Sequence, residues 1–130
     1  MGTHDQQNNN KIKLNFVVET PLFSSKKASN PGTKYLLALG GWTDSLGTKY
    51  STLLASSAKI SNFVSQAVTF ISQNGFDGLD LDYEYPSSAD KAGVAALVAA
   101  LRAAFIPRGW QLTAAVSARL GYCSKYRVLF

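Results

Sequence analysis

The sequence predicts an α/β fold organised on parallel strands, and three observations carry that prediction. Apolar runs of strand length occur at Tyr35–Leu39, Gly78–Tyr83 and Gln111–Ala118. The two stretches between them place apolar residues at helical spacing. The resulting order of strand, helix, strand, helix, strand makes consecutive β/α modules over residues 35–75 and 76–110, and such alternation implies parallel pairing.

Taken in order, Lys11–Val18 alternates, with Ile12, Leu14, Phe16 and Val18 on one face, which predicts a strand. Residues 21–32 are rich in Ser and Lys and close on Asn30-Pro31-Gly32, a turn signal. Tyr35–Leu39 is continuously apolar and stops at Gly40-Gly41, as a strand buried on both faces does. Residues 42–50 read as a loop. Ser57 is placed to cap a helix carrying Ile60, Phe63, Val64, Ala67, Phe70 and Ile71, with Gly75 at its C-terminal cap. A second helix, capped at Ser88, carries Val94, Leu97, Val98, Leu101 and Phe105 and is stopped by Pro107.

Charge singles out one segment. The chain has eight acids against thirteen Lys and Arg, yet Asp77, Asp80, Asp82 and Glu84 fall within Phe76-Asp77-Gly78-Leu79-Asp80-Leu81-Asp82-Tyr83-Glu84-Tyr85-Pro86. Strand alternation puts Asp80, Asp82 and Glu84 on one face and Leu79, Leu81 and Tyr83 on the other. A solvated strand face usually mixes signs or carries Lys; this one is purely acidic. Like charges crowded together raise a carboxyl pKa, which is what a general acid needs near neutral pH. The cluster falls at the end of a strand where parallel barrels and doubly wound sheets alike place their chemistry.

Other classes are disfavoured. The formal charge of +5 comes from scattered basic residues with no aromatic-interleaved patch, which argues against nucleic acid as a partner. One cysteine, Cys123, and one histidine, His4, leave no intrachain disulfide, and the acids lie on a single strand, so no metal or other cofactor is expected. No apolar run approaches the ~20 residues of a membrane span, and the polar residues 1–10 lack the apolar stretch of a signal peptide.

The acidic segment resembles the Asp-x-x-Asp-x-Asp-x-Glu signature, often followed by Tyr-Pro, of family-18 glycoside hydrolases, the chitinases and chitinase-like proteins. Leu36-Leu37-Ala38-Leu39-Gly40-Gly41-Trp42 resembles the preceding barrel strand of that family, and Leu112-Thr113-Ala114-Ala115-Val116-Ser117-Ala118 the following one. The resemblance covers residues 29–118 and is closest to animal chitinases; residues 1–28, with their one strand, match poorly and the basic tail 119–130 does not match.

The resemblance implies a portion of a (β/α)8 TIM barrel, of about three β/α units. It implies hydrolysis of β-1,4 linkages between N-acetylglucosamine units of chitin by a retaining mechanism in which the substrate supplies the nucleophile. Glu84 would protonate the glycosidic oxygen, Asp82 would orient the N-acetyl group and Asp80 would hold Asp82. Asp77, Gly78 and Tyr85 would be structural members of the motif, while Gly40, Gly41 and Trp42 would bind substrate, Trp42 by stacking on a sugar ring. As a core or rim aromatic, Trp42 would have no such role. Tyr83 stands where many relatives carry Trp and should face the helices.

A complete barrel takes ~250 residues against 130 here, and the family's later Met-x-Tyr-Asp strand and late Trp have no counterpart. The expectation is therefore a partial domain with little turnover by itself, exposed strand edges that favour self-association, and an extracellular parent protein. Two other functions compete with the hydrolase. A chitinase-like lectin would bind chito-oligosaccharides without cleaving them, although such relatives typically lack the glutamate retained here. An unrelated barrel enzyme would use the carboxylates to hold Mg2+.

Overall fold

A computed structural model describes residues 20–115. The predicted strand over residues 11–18, His4 and Cys123 lie outside the described residues. Helix α1 spans Thr20–Ser29, strand β1 Leu36–Gly40, helix α2 Lys49–Leu54 and helix α3 Ser57–Asn74. Strand β2 follows at Gly78–Asp82, helix α4 at Lys91–Phe105 and strand β3 at Gln111–Ala114. Short 3-10 turns flank α4 at Ser88–Asp90 and Ile106–Arg108.

The strands form one parallel sheet in the order β1-β2-β3. Leu37 pairs with Leu79 and Ala38 with Asp80, and β3 continues these rows with Leu112 and Thr113. One row, Leu37, Leu79 and Leu112, is buried in the core with Leu39. It packs with Ile60, Phe63, Ala67 and Ile71 of α3 and Leu97, Leu101 and Phe105 of α4. Ala38, on the opposite face, is exposed. β1 is thus buried on one face only among the described residues, where its continuous apolar run predicted burial on both.

The helix ends differ in detail from expectation. α3 carries the expected apolar positions, but Ser56 rather than Ser57 is its N-cap, accepting a hydrogen bond from the Lys59 backbone N–H at 3.3 Å. Gly75 ends it in the left-handed region as expected. The second helix is entered through Ser87 rather than Ser88: the Asp90 carboxylate accepts from the Ser87 N–H, so residues 88–90 form a 3-10 turn before α4 begins.

Two helices were not expected. α1 occupies the Ser/Lys-rich stretch because Phe23 stacks on Phe76 at 4.5 Å and meets Tyr35 edge-on, while Lys27 reaches the Gly75 carbonyl and Asp77. α2 begins inside the expected loop because Tyr50, Leu53 and Leu54 bury themselves in the core; its N-cap Thr48 makes no side-chain cap bond. Tertiary burial overrides weak local signals in both cases.

β2 and β3 approach too closely at Gly78 to leave room for a side chain. Its φ is +152°, and a Cβ built there would lie 1.9 Å from the Gln111 carbonyl oxygen. Gly78→Ala is expected to separate β2 from β3 and to cost about 1–3 kcal/mol, the usual range for forced overpacking. Urea denaturation checks this, and an unchanged midpoint would contradict it.

Candidate active site

The site is built at the C-terminal ends of β1 and β2. Leu79 is fully buried, which fixes the rotation of β2 and sends Asp80 and Asp82 to the opposite face. The ladder then sets their neighbours. Asp80 lies between Ala38 and Thr113, and Asp82 is paired with Gly40. The Thr113 hydroxyl donates to Asp80 Oδ1.

Gly40 is required by the convergence of the two strands. Its φ is +116°, and a Cβ would fall 2.1 Å from the Asp82 carbonyl oxygen. The next N–H, that of Gly41, donates to that same oxygen at 2.7 Å. Gly41 also borders the Asp82 carboxylate, since a Cβ there would lie 3.8 Å from Oδ2. Trp42, which follows, is 63% exposed and so is no core residue.

The ladder stops at Asp82, two residues before Glu84. Tyr83 still obeys strand alternation, and as expected its ring faces the helices. It stacks on Tyr50 at 4.6 Å, and its hydroxyl donates to Asp90 at 3.3 Å. Glu84 is half-buried, and its N–H donates to the Ser45 hydroxyl at 2.9 Å. Tyr85, next to Glu84, is 57% exposed. The Glu84 charge pushes the Tyr85 phenol up, with smaller contributions from slight desolvation and the Asp82 charge. The exposed phenol therefore senses both carboxylates.

Asp77 stands apart, at the opposite end of β2. It accepts from the Tyr35 N–H at 2.9 Å and from Lys27 at 3.1 Å, with Lys34 at 3.8 Å. Burial works to raise its carboxyl, but these partners outweigh it and hold the group below its ordinary value. The structure thus brings Asp80, Asp82, Glu84, Tyr85, Gly40, Gly41 and Trp42 to one end of the sheet, and gives Asp77 and Gly78 to its construction.

Sequence reasoning missed a second layer beneath the site. Asp44 accepts from Lys49 and from the Tyr50 hydroxyl at 2.6 Å. Desolvation, reinforced by Asp44, raises the Tyr50 phenol. Asp90, only 5% exposed, also accepts from the Ser87 N–H and hydroxyl at 2.8 and 2.7 Å. Ser87-Ser88-Ala89-Asp90 has the spacing of a capping box, a signal that was available; Ser45 and Asp44 carried none. Among the described residues, no three His, Cys, Asp or Glu side chains converge to hold a metal ion, and no helix is long and apolar enough to cross a membrane.

A profile of Glycosyl hydrolases family 18 matches residues 2–128. The chain belongs to that family. It is 42% identical over 103 residues to "Endochitinase" of Manduca sexta, a match covering 72% of this chain and 18% of that protein. It is 43% identical to "Probable chitinase 10" of Drosophila melanogaster, over 90% of this chain and 5% of the other. Among solved structures, the second catalytic domain of the Group II chitinase of Ostrinia furnacalis superposes with a TM-score of 0.71 at 46% identity, over 78% of this chain and 29% of that one. A mutant of the same domain is known in complex with penta-N-acetylchitooctaose. The chain therefore spans under a fifth of the relatives and under a third of the solved domain. The structural neighbours are TIM-barrel chitinases, and the described residues form a three-stranded parallel sheet, a partial α/β unit rather than a closed barrel.

The buried carboxylate of Asp90 gives the layer beneath the site a pH dependence. Burial would raise it, but the hydrogen bonds from Ser87, Ser51 and Tyr83 win and depress it. A depressed folded value contributes stability that is present above the unfolded value near ~3.9 and is lost as pH falls through the folded one. Asp90→Asn is expected to lower stability at neutral pH and to flatten its decline in acid, so that the denaturation curves of variant and parent converge at low pH. Parallel curves at all pH values would contradict the assignment.

Proposed function

We propose that this chain carries the catalytic strand of a chitin-hydrolysing glycosidase, with Glu84 as general acid, Asp82 as the group that orients the substrate N-acetyl and Asp80 as its support. The observation that carries the reading is the row Asp80-Asp82 on the open face of β2, continued by Glu84 just past the strand end beside Gly40-Gly41-Trp42. The relatives' names and the oligosaccharide complex of the Ostrinia domain supply the substrate class.

In the first half of the reaction, the protonated Glu84 carboxyl gives its proton to the glycosidic oxygen as the C1–O bond breaks. The N-acetyl carbonyl oxygen of the same sugar attacks C1 from the opposite side and closes an oxazolinium ring. Asp82, accepting from the N-acetyl N–H, turns that carbonyl toward C1 and balances the developing positive charge. Thr113 holds Asp80 behind it. In the second half, the Glu84 carboxylate takes a proton from water as the water oxygen bonds to C1, and the N-acetyl group reopens with net retention. Trp42, exposed at the same end of the sheet, offers a flat face for a sugar ring.

A lectin that binds without turnover is disfavoured by the retained Glu84 and by the chitinase names of the relatives. Family membership supports an extracellular setting. β1 and β3 each have one paired edge among the described residues, which supports association of the open edges with further strands.

The test is a complete family-18 domain in which this chain replaces the matching segment. Glu84→Gln there is expected to cut hydrolysis of chito-oligosaccharides by about 10²–10⁴-fold, the usual cost of losing a general acid, while binding persists. Normal turnover in that variant would refute the assignment. The isolated chain is expected to show little turnover beside the chimera.

A further inference from the structure

We propose that the Ser45 hydroxyl positions Glu84, acting as a side-chain rung that continues the β1–β2 ladder past the last residue of the strand. The proposal rests on the reading of Glu84 as general acid. Backbone pairing holds β2 only as far as Asp82, and a catalytic group beyond it needs another anchor if its carboxyl is to return to one place.

Ser45 supplies that anchor. Its Oγ accepts from the Glu84 N–H at 2.9 Å and lies 3.4 Å from the Asp82 carbonyl oxygen. A hydroxyl has one proton to give and lone pairs to receive, so one atom can satisfy a carbonyl and an N–H two residues apart, as an adjoining strand would. Ser45 is itself fixed: it is 7% exposed, and its N–H donates to the Gly41 carbonyl at 2.9 Å. Gly41 in turn donates to Asp82 at 2.7 Å. The turn from Gly41 to Ser45 is therefore bonded to the last residue of β2, Asp82, and to Glu84 beyond it. The next layer holds it from outside, through Asp44 bonded to Tyr50 and Tyr50 stacked on Tyr83. The residue before the anchor, Asp44, and the residue before the acid, Tyr83, are thereby both held by Tyr50.

Removing the hydroxyl leaves the Glu84 N–H without its partner and the acid free to shift. Displacements near 1 Å at a reacting group can cost about 100-fold in rate. In the chimeric domain, Ser45→Ala is expected to lower kcat by about 10- to 100-fold with KM unchanged within about twofold, and Ser45→Thr, which keeps the hydroxyl, to recover most of kcat. The full 130-residue chain gives a second readout: the Glu84 amide should exchange slowly with deuterium, comparably to amides within β2. Wild-type kcat in Ser45→Ala alongside an inactive Glu84→Gln would overturn the positioning role and leave the acid assignment standing. Full activity of Glu84→Gln would instead refute the acid assignment on which the proposal rests. Parallel losses of kcat, KM and melting temperature without rescue by Thr would show a merely structural hydroxyl and overturn the proposal, as would rapid exchange at Glu84 in the unmodified chain.

Discussion

Leu79 is fully buried between β1 and β3, and its immersion in the helix layer sets the geometry of everything on the other side of the sheet. In a strand, one buried side chain fixes the facing of its neighbours. With Leu79 inward, Asp80 and Asp82 must stand on the face that helices do not cover. A slip of one residue would bury two carboxylates among Phe63, Ile71 and Leu101 and expose the leucines. Charges without partners cannot be placed there at tolerable cost, so the apolar core protects the register of the acids.

Two close approaches complete the arrangement. Gly78 lets β3 pack against the start of β2, and Gly40 lets β1 converge on its end. Asp77, at the start of β2, exchanges backbone and side-chain hydrogen bonds with Tyr35 and holds Lys27. The four acids of the motif thus divide by position. Asp77 closes the lower end of the strand, while Asp80, Asp82 and Glu84 lie progressively nearer the open upper end.

Much of this was legible in the sequence. The three strands, the span of α3 and the separation of Tyr83 from the acids follow from apolar periodicity, which burial enforces. α1 and α2 were not legible, because neither has a strong amphipathic pattern and each is held by a few aromatic or apolar contacts: Phe23 on Phe76, and Tyr50 on Tyr83. The cap of α3 was displaced by one residue, to Ser56, since adjacent serines offer the backbone equivalent oxygens, and the chain enters the 3-10 turn before α4 through Ser87, with Asp90 at the N-terminus of α4. Ser45 was invisible because its role depends on a loop conformation that brings residues 39 positions apart into contact.

The central claim is that the Asp80-Asp82-Glu84 row meets the N-acetyl group and the glycosidic oxygen of one substrate. The most direct measurement is a crystal structure of the chimeric domain carrying Glu84→Gln with a chito-oligosaccharide bound across the strand ends. The account predicts the glycosidic oxygen within hydrogen-bond distance, about 3 Å, of the residue 84 side chain, and the N-acetyl N–H of the same sugar on Asp82. An oligosaccharide bound away from the end of β2, or one whose N-acetyl group turns from Asp82, would contradict it.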